Sequence, residues 1–143
     1  MAEMVGLVIY VRISDEWIED LICTIIEGGS GYWINHVKIH HPNGDKPKGV
    51  PTSTWVSDAL NKGGFIDVYE RNDDFRSTEL PVMSGILTKE KLIDGIKQWV
   101  AKRQEQIKSI DREGDYLTIN GDIDANEADC IMQYAIYNDI IFG

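Results

Sequence analysis

The sequence predicts an α+β fold: a small, mainly antiparallel sheet with helices packed on one face, in the order β-α-β-α-β-β-α-α. Three observations lead there. The apolar period switches repeatedly between two and three-to-four residues along the chain. Two extended runs follow one another near residues 65–83 with only a polar turn between them, the pattern of a hairpin. The chain has 143 residues, 43% of them hydrophobic, which suits one domain over 1–143 with its own core.

"GLVIYVRI" (6–13) alternates Leu7, Ile9, Val11 and Ile13 against Val8, Tyr10 and Arg12, a strand pattern. Ser14 caps the helix that follows, with Asp15, Glu16 and Glu19 in its first turn, where the helix dipole favours acids. Trp17, Ile18, Leu21, Ile22 and Ile25 form its apolar stripe, and Gly28 is expected to end it in the left-handed conformation. Residues 33–39 read as a second strand, 40–51 as a Pro- and Gly-rich loop, and 52–64 as a short helix closed by paired glycines. "FIDVYER" (65–71) is a third strand. Its hairpin partner is "STELPVM" (77–83), with Pro81 placing that strand at an edge. Thr88 caps a long helix with Leu92, Ile93, Ile96, Trp99 and Val100 on one face. An irregular acidic stretch precedes a capping box, Asp124 with Glu127, that opens the last helix.

Charge narrows the partners. There are 24 acids against 14 Lys and Arg, a formal net charge of −10. Asp111, Glu113, Asp115, Asp122, Asp124, Glu127 and Asp129 crowd one segment, where Arg112 is the only cation. Such a surface repels phosphate backbones, so no direct nucleic-acid binding is expected, and it suits a basic protein partner. No apolar run is long enough for a bilayer span, and Arg12 interrupts the first apolar stretch, which argues against a signal peptide. Cys23 and Cys130 lie on apolar helix faces, as expected of buried free thiols in a cytoplasmic protein.

No reaction chemistry emerges. His36, His40 and His41 have no ligand spacing, so no metal site is expected. The run from Asp122 to Gln133 imitates a calcium loop, but Glu127 stands where the loop needs Gly, and Gln133 where it needs a bidentate Glu. Cys23 sits in a helical apolar pattern, no Ser lies in a nucleophile-elbow frame, and the glycines of "GGSG" are not followed by Lys and Ser or Thr. The expectation is a protein without catalytic residues or cofactor.

The segment "EGGSGYW" (27–33) has more glycine than a helix stop requires. A Gly-rich turn lets backbone N–H groups come close to a ligand, and a following aromatic offers a stacking face. Gly29, Gly31, Tyr32, Trp33 and Asn35 are therefore candidate ligand contacts, with Arg71 and Arg76 as the cations nearest a shared turn. The competing reading is that Tyr32 and Trp33 plug the core where helix meets strand. Exposed aromatics and an edge strand leave a homo-oligomer open.

"IEGGSGYW", "LNKGGFIDVYE", "LTKEKLIDGIKQW" and "DIDANEADCIMQYAIYNDIIFG" together resemble a group of small acidic proteins encoded by phages and prophages of Firmicutes. The likeness spans roughly 14–143, with gaps at 40–52 and 104–121. It implies a counter-defence or host-takeover role. One similar class, the anti-Thoeris sponge proteins, implies sequestration of cyclic ADP-ribose-type or cyclic oligonucleotide signals without cleavage. No ligand residue transfers position by position. The alternative is an acidic inhibitor that docks on a basic host protein, such as a nucleic-acid-acting enzyme.

Overall fold

A computed structural model describes residues 2–6, 10–71, 82–103, 110–113, 116–119 and 121–143. Strand β1 (Tyr10–Ile13) leads through Ser14 into helix α1 (Asp15–Thr24). The Ser14 hydroxyl accepts from the Trp17 amide at 3.0 Å, the expected cap. Helix α1 ends at Thr24 and widens into a π-helical turn, Ile25–Gly29, which kinks at Gly28, where φ is 164°. That is extended backbone, so the expected left-handed cap is absent; the widened turn carries the chain round instead.

β2 (Ile34–His40), β3 (Phe65–Glu70) and β4 (Met83–Leu87) form one antiparallel sheet in that order, with α2 (Thr52–Asn61) between the first two strands. β3 pairs antiparallel with β4, an edge among the described residues, whereas residues 77–81 of the expected partner 77–83 lie outside the described residues. The strand starts at Met83, later than the 77–83 run, and Pro81 lies outside the described residues. Ile66 and Val68 point into the core, whereas Phe65, Asp67 and Tyr69 share the opposite face with His36, Lys38 and His40 of β2.

Helix α3 (Lys89–Lys102) is capped by Thr88, whose hydroxyl accepts from the Lys91 amide at 3.1 Å. The stretch expected to be irregular contains β5 (Ile110–Glu113) and β6 (Tyr116–Ile119). β6 pairs antiparallel with β5 and parallel with β1, giving a second sheet in the order β1-β6-β5. The fold is α+β, with two strands more than the sequence pattern revealed.

Helix α4 (Ala125–Tyr137) packs along α3 and against the π turn, β4 and α1. Asp124 caps it by accepting from the Glu127 amide at 2.8 Å. The Glu127 carboxylate has another task. It is buried and accepts from Trp99 Nε1 at 2.7 Å and from both Nε and Nη2 of Arg103 at 2.9 and 2.7 Å. This charge-assisted fork holds the Glu127 pKa below the ordinary carboxylate value and ties α3 to α4. The core consists of Trp17, Leu21 and Ile22 of α1, Val56 and Leu60 of α2, Ile66 and Val68 of β3, Leu92, Ile96 and Trp99 of α3, and Ile131 and Met132 of α4. Among the described residues, no helix is long and apolar enough to cross a membrane.

Candidate functional site

The turn and the last helix meet at one buried carboxylate. Asp129, 5% exposed on α4, accepts from Ser30 Oγ at 2.8 Å, Trp33 Nε1 at 2.7 Å, Tyr32 Oη at 2.5 Å and Gln133 Nε2 at 2.8 Å. Gln133 lies one helical turn on, and its Oε1 accepts from the amides of Ile141 and Phe142 at 2.8 and 2.9 Å. The side chains of Asp129 and Gln133 therefore bind together the Gly-rich turn, α4 and the C-terminal segment. Phe142 closes the arrangement by stacking on Trp33, with ring centroids 5.1 Å apart. Burial and the bond to Asp129 push the Tyr32 pKa up to about 12.

Gly29 is needed where it stands. A Cβ there would lie 3.0 Å from the Ala125 carbonyl and 3.1 Å from that of Thr24, so glycine lets the turn seat against the first residue of α4. At Gly28 a Cβ would meet nothing within 4 Å.

The expected contact residues separate into two groups. Trp33 is 3% exposed and enclosed by Asp129, Tyr137 and Phe142, so its ring faces the core. Tyr32 is half exposed as a ring, with its hydroxyl turned to Asp129. Gly31, Asn35 and Arg71, by contrast, line one open cleft of about 220 Å3 with Ser30, His36 and the aliphatic side chains of Ile25, Ile26, Ile34 and Val37. Arg71 is fixed at its rim: the backbone amide donates to the Trp33 carbonyl at 2.7 Å and Nε to the Gly31 carbonyl at 2.8 Å. Arg76 lies outside the described residues.

His36 was not among the expected contacts, yet it lines the cleft and stacks on Tyr69 of β3 at 4.4 Å. Its place opposite Tyr69 in the β2–β3 register was hidden by a bulge between Ile34 and His36. The other histidines lie at the end of β2 and just beyond it. His40 pairs with Asp67 at 2.7 Å. His41 is buried against Trp55, with Nδ1 accepting from the Asn43 amide and Nε2 within 2.7 Å of Asp58. No group of His, Cys, Asp and Glu suited to a metal ion occurs among the described residues. Cys23 and Cys130 are free and half-buried. Burial raises the Cys130 thiol, and at Cys23 burial and Glu27 outweigh the lowering effect of a hydrogen bond with Ser53.

The acidic segment is less of a surface than its composition implies, because Glu127 and Asp129 are both buried and bonded inward. An acidic face also lies on α1 and the π turn, where Asp15, Glu16, Glu19, Asp20 and Glu27 are all exposed. No Lys or Arg occurs between Ile13 and Val37.

No protein-family model, curated protein or solved structure matches the chain.

Proposed function

We propose that the chain is a non-enzymatic phage counter-defence protein that captures a host nucleotide signal, of the cyclic ADP-ribose or cyclic oligonucleotide type, in the cleft between the Gly-rich turn and β2. The observation that carries this reading is the convergence of Gly31, Asn35 and Arg71 on one cleft with an aliphatic wall. The resemblance to phage proteins supplies the setting. A volume of about 220 Å3 is smaller than the roughly 300–1,000 Å3 of pockets that enclose drug-sized ligands. One base or ribose fits inside, and the phosphates stay at the rim beside the Arg71 guanidinium.

Isothermal titration with cyclic ADP-ribose and cyclic dinucleotides tests the proposal, followed by heating and chromatography of the released ligand. The expected result is binding, recovery of intact ligand, and a loss of at least about tenfold in affinity for Arg71→Ala, within the range of a charged hydrogen bond. No binding of any member of the series, or recovery of a cleaved product, refutes it.

A second reading, docking on a basic host protein, is favoured by the exposed acids of α1 and the π turn. Capture from host lysate that disappears at high salt, and in a variant carrying Glu16→Lys and Glu19→Lys, supports that reading.

A further inference from the structure

An edge strand offers unpaired backbone groups to any other strand, and proteins blunt such edges with charges, bulges or proline. Among the described residues four strands are sheet edges: β1, β5, β2 and β4. Each of the first three carries charge in its own sequence: β1 contains Arg12, β5 contains Asp111, Arg112 and Glu113, and β2 contains Lys38. β4 reads MSGIL and has no charge; a bulge at Ser84 interrupts its pairing with β3, as one at Asn35 does in β2, so charge is what sets β4 apart. Val82 and Met83, at its start, are 70% and 47% exposed. No described strand pairs with its outer edge.

We propose that β4 is a self-association edge. Two copies pair their β4 strands antiparallel about a two-fold axis, joining the β2-β3-β4 sheets into one six-stranded sheet. The occupant is a second copy because an antiparallel pair of one strand with itself is self-complementary, the requirement of a two-fold interface. Charge selects the same place. Two copies that each carry a net charge of −10 repel over most of their surfaces, and β4 is the edge along which their backbones meet without opposing like charges. Beneath it, α4 packs so closely that a Cβ on Gly85 would lie 3.3 Å from Ile136, which supports the strand from one side. On the other face, Met83 and Ile86 sit opposite Tyr69 and Asp67 of β3 and extend an apolar strip towards the second copy.

Sedimentation velocity of the full chain over a concentration series, with hydrogen exchange of the β4 amides at each end of it, tests this. The expected result is a concentration-dependent rise from 16.2 kDa towards twice that mass, with β4 exchange slowing in step. Val82→Lys and Met83→Lys each weaken the association about tenfold at an unchanged melting temperature, because each charge enters the interface twice. A chain that stays monomeric at high micromolar concentration overturns the proposal. So does a dimer that survives both lysines together, or β4 amides protected equally at every concentration, since the edge is then covered by something other than a second copy. If Met83→Lys fails to fold, the more exposed Val82→Lys and the exchange data on the unaltered chain decide the matter.

Discussion

Removing the Asp129 carboxylate is the sharpest test of how the turn is held. In Asp129→Ala, Ser30 and Trp33 each lose their acceptor while remaining buried, at 0% and 3% exposure, whereas Gln133 Nε2 keeps Tyr32 Oη and the Phe142 carbonyl at 3.1 and 3.3 Å. A buried donor left without a partner costs about 1–3 kcal/mol. Part of that sum is returned because a carboxylate no longer has to be buried, and Tyr32, half exposed, finds water. The expected loss is about 3–5 kcal/mol, a large share of the roughly 5–15 kcal/mol that holds a domain together. Asp129→Asn keeps the shape and one acceptor, so Ser30 and Trp33 stay bonded while its amide faces that of Gln133, at a cost of about 1–3 kcal/mol. Urea unfolding followed by tryptophan emission measures both, since Trp33 reports from inside the cluster. An Asp129→Ala protein within about 1 kcal/mol of the unaltered chain refutes the reasoning.

Gly29→Ala should lower stability by about 1–3 kcal/mol through its contacts with the Ala125 and Thr24 carbonyls, with Gly28→Ala nearer to neutral; paired denaturation midpoints check the order. Because Arg103 lowers the Glu127 pKa in the folded state, that pairing contributes stability above about pH 4.3 and loses it as pH falls through the lower folded value. Glu127→Gln should flatten the acid limb of the stability profile below about pH 4.3, measured by urea midpoints. Tyr32 and Tyr137 are raised to about 12 by burial and by hydrogen bonds to Asp129 and Glu70, so their contribution is complete below about pH 10 and is lost as pH rises through about 12. Ultraviolet titration should show a late tyrosinate phase whose amplitude falls in Tyr32→Phe.

The parts legible in the sequence were those whose cause is local. Ser14, Thr88 and Asp124 each cap a helix by accepting from an amide three residues ahead, so type and spacing suffice to find them. β5 and β6 escaped notice because each is four residues long in an acidic stretch and β6 rests on β1, more than 100 residues earlier. Gly28 marks the place where helical geometry breaks, but the helix first widens and Gly28 takes φ 164°, so the left-handed cap expected there is absent. Asp129 and Gln133 left a faint signal. Both lie among Ala128, Ile131, Met132 and Ala135, where polar side chains need buried partners, and Trp33 and Tyr32 are residues that bring such donors. The cleft gathered Gly31, Asn35 and Arg71 as the glycines suggested, and only the register of β2 against β3 added His36.

The bond from Ser30 to Asp129 spans 99 residues of chain. At a synthesis rate of about 5–20 residues per second, the turn waits about 5–20 s on the ribosome before its acceptor exists. Throughout that interval Ser30 and Trp33 have no Asp129 to accept their hydrogen bonds, and Phe142 arrives later still to cover the indole. The turn therefore completes its bonding only after α4 has been made, and a nascent chain halted before α4 lacks the partners that cover the Gly-rich turn. Substitutions in that helix should lower the yield of soluble protein in the cell by more than their equilibrium cost accounts for, because they prolong the time for which that turn is bare.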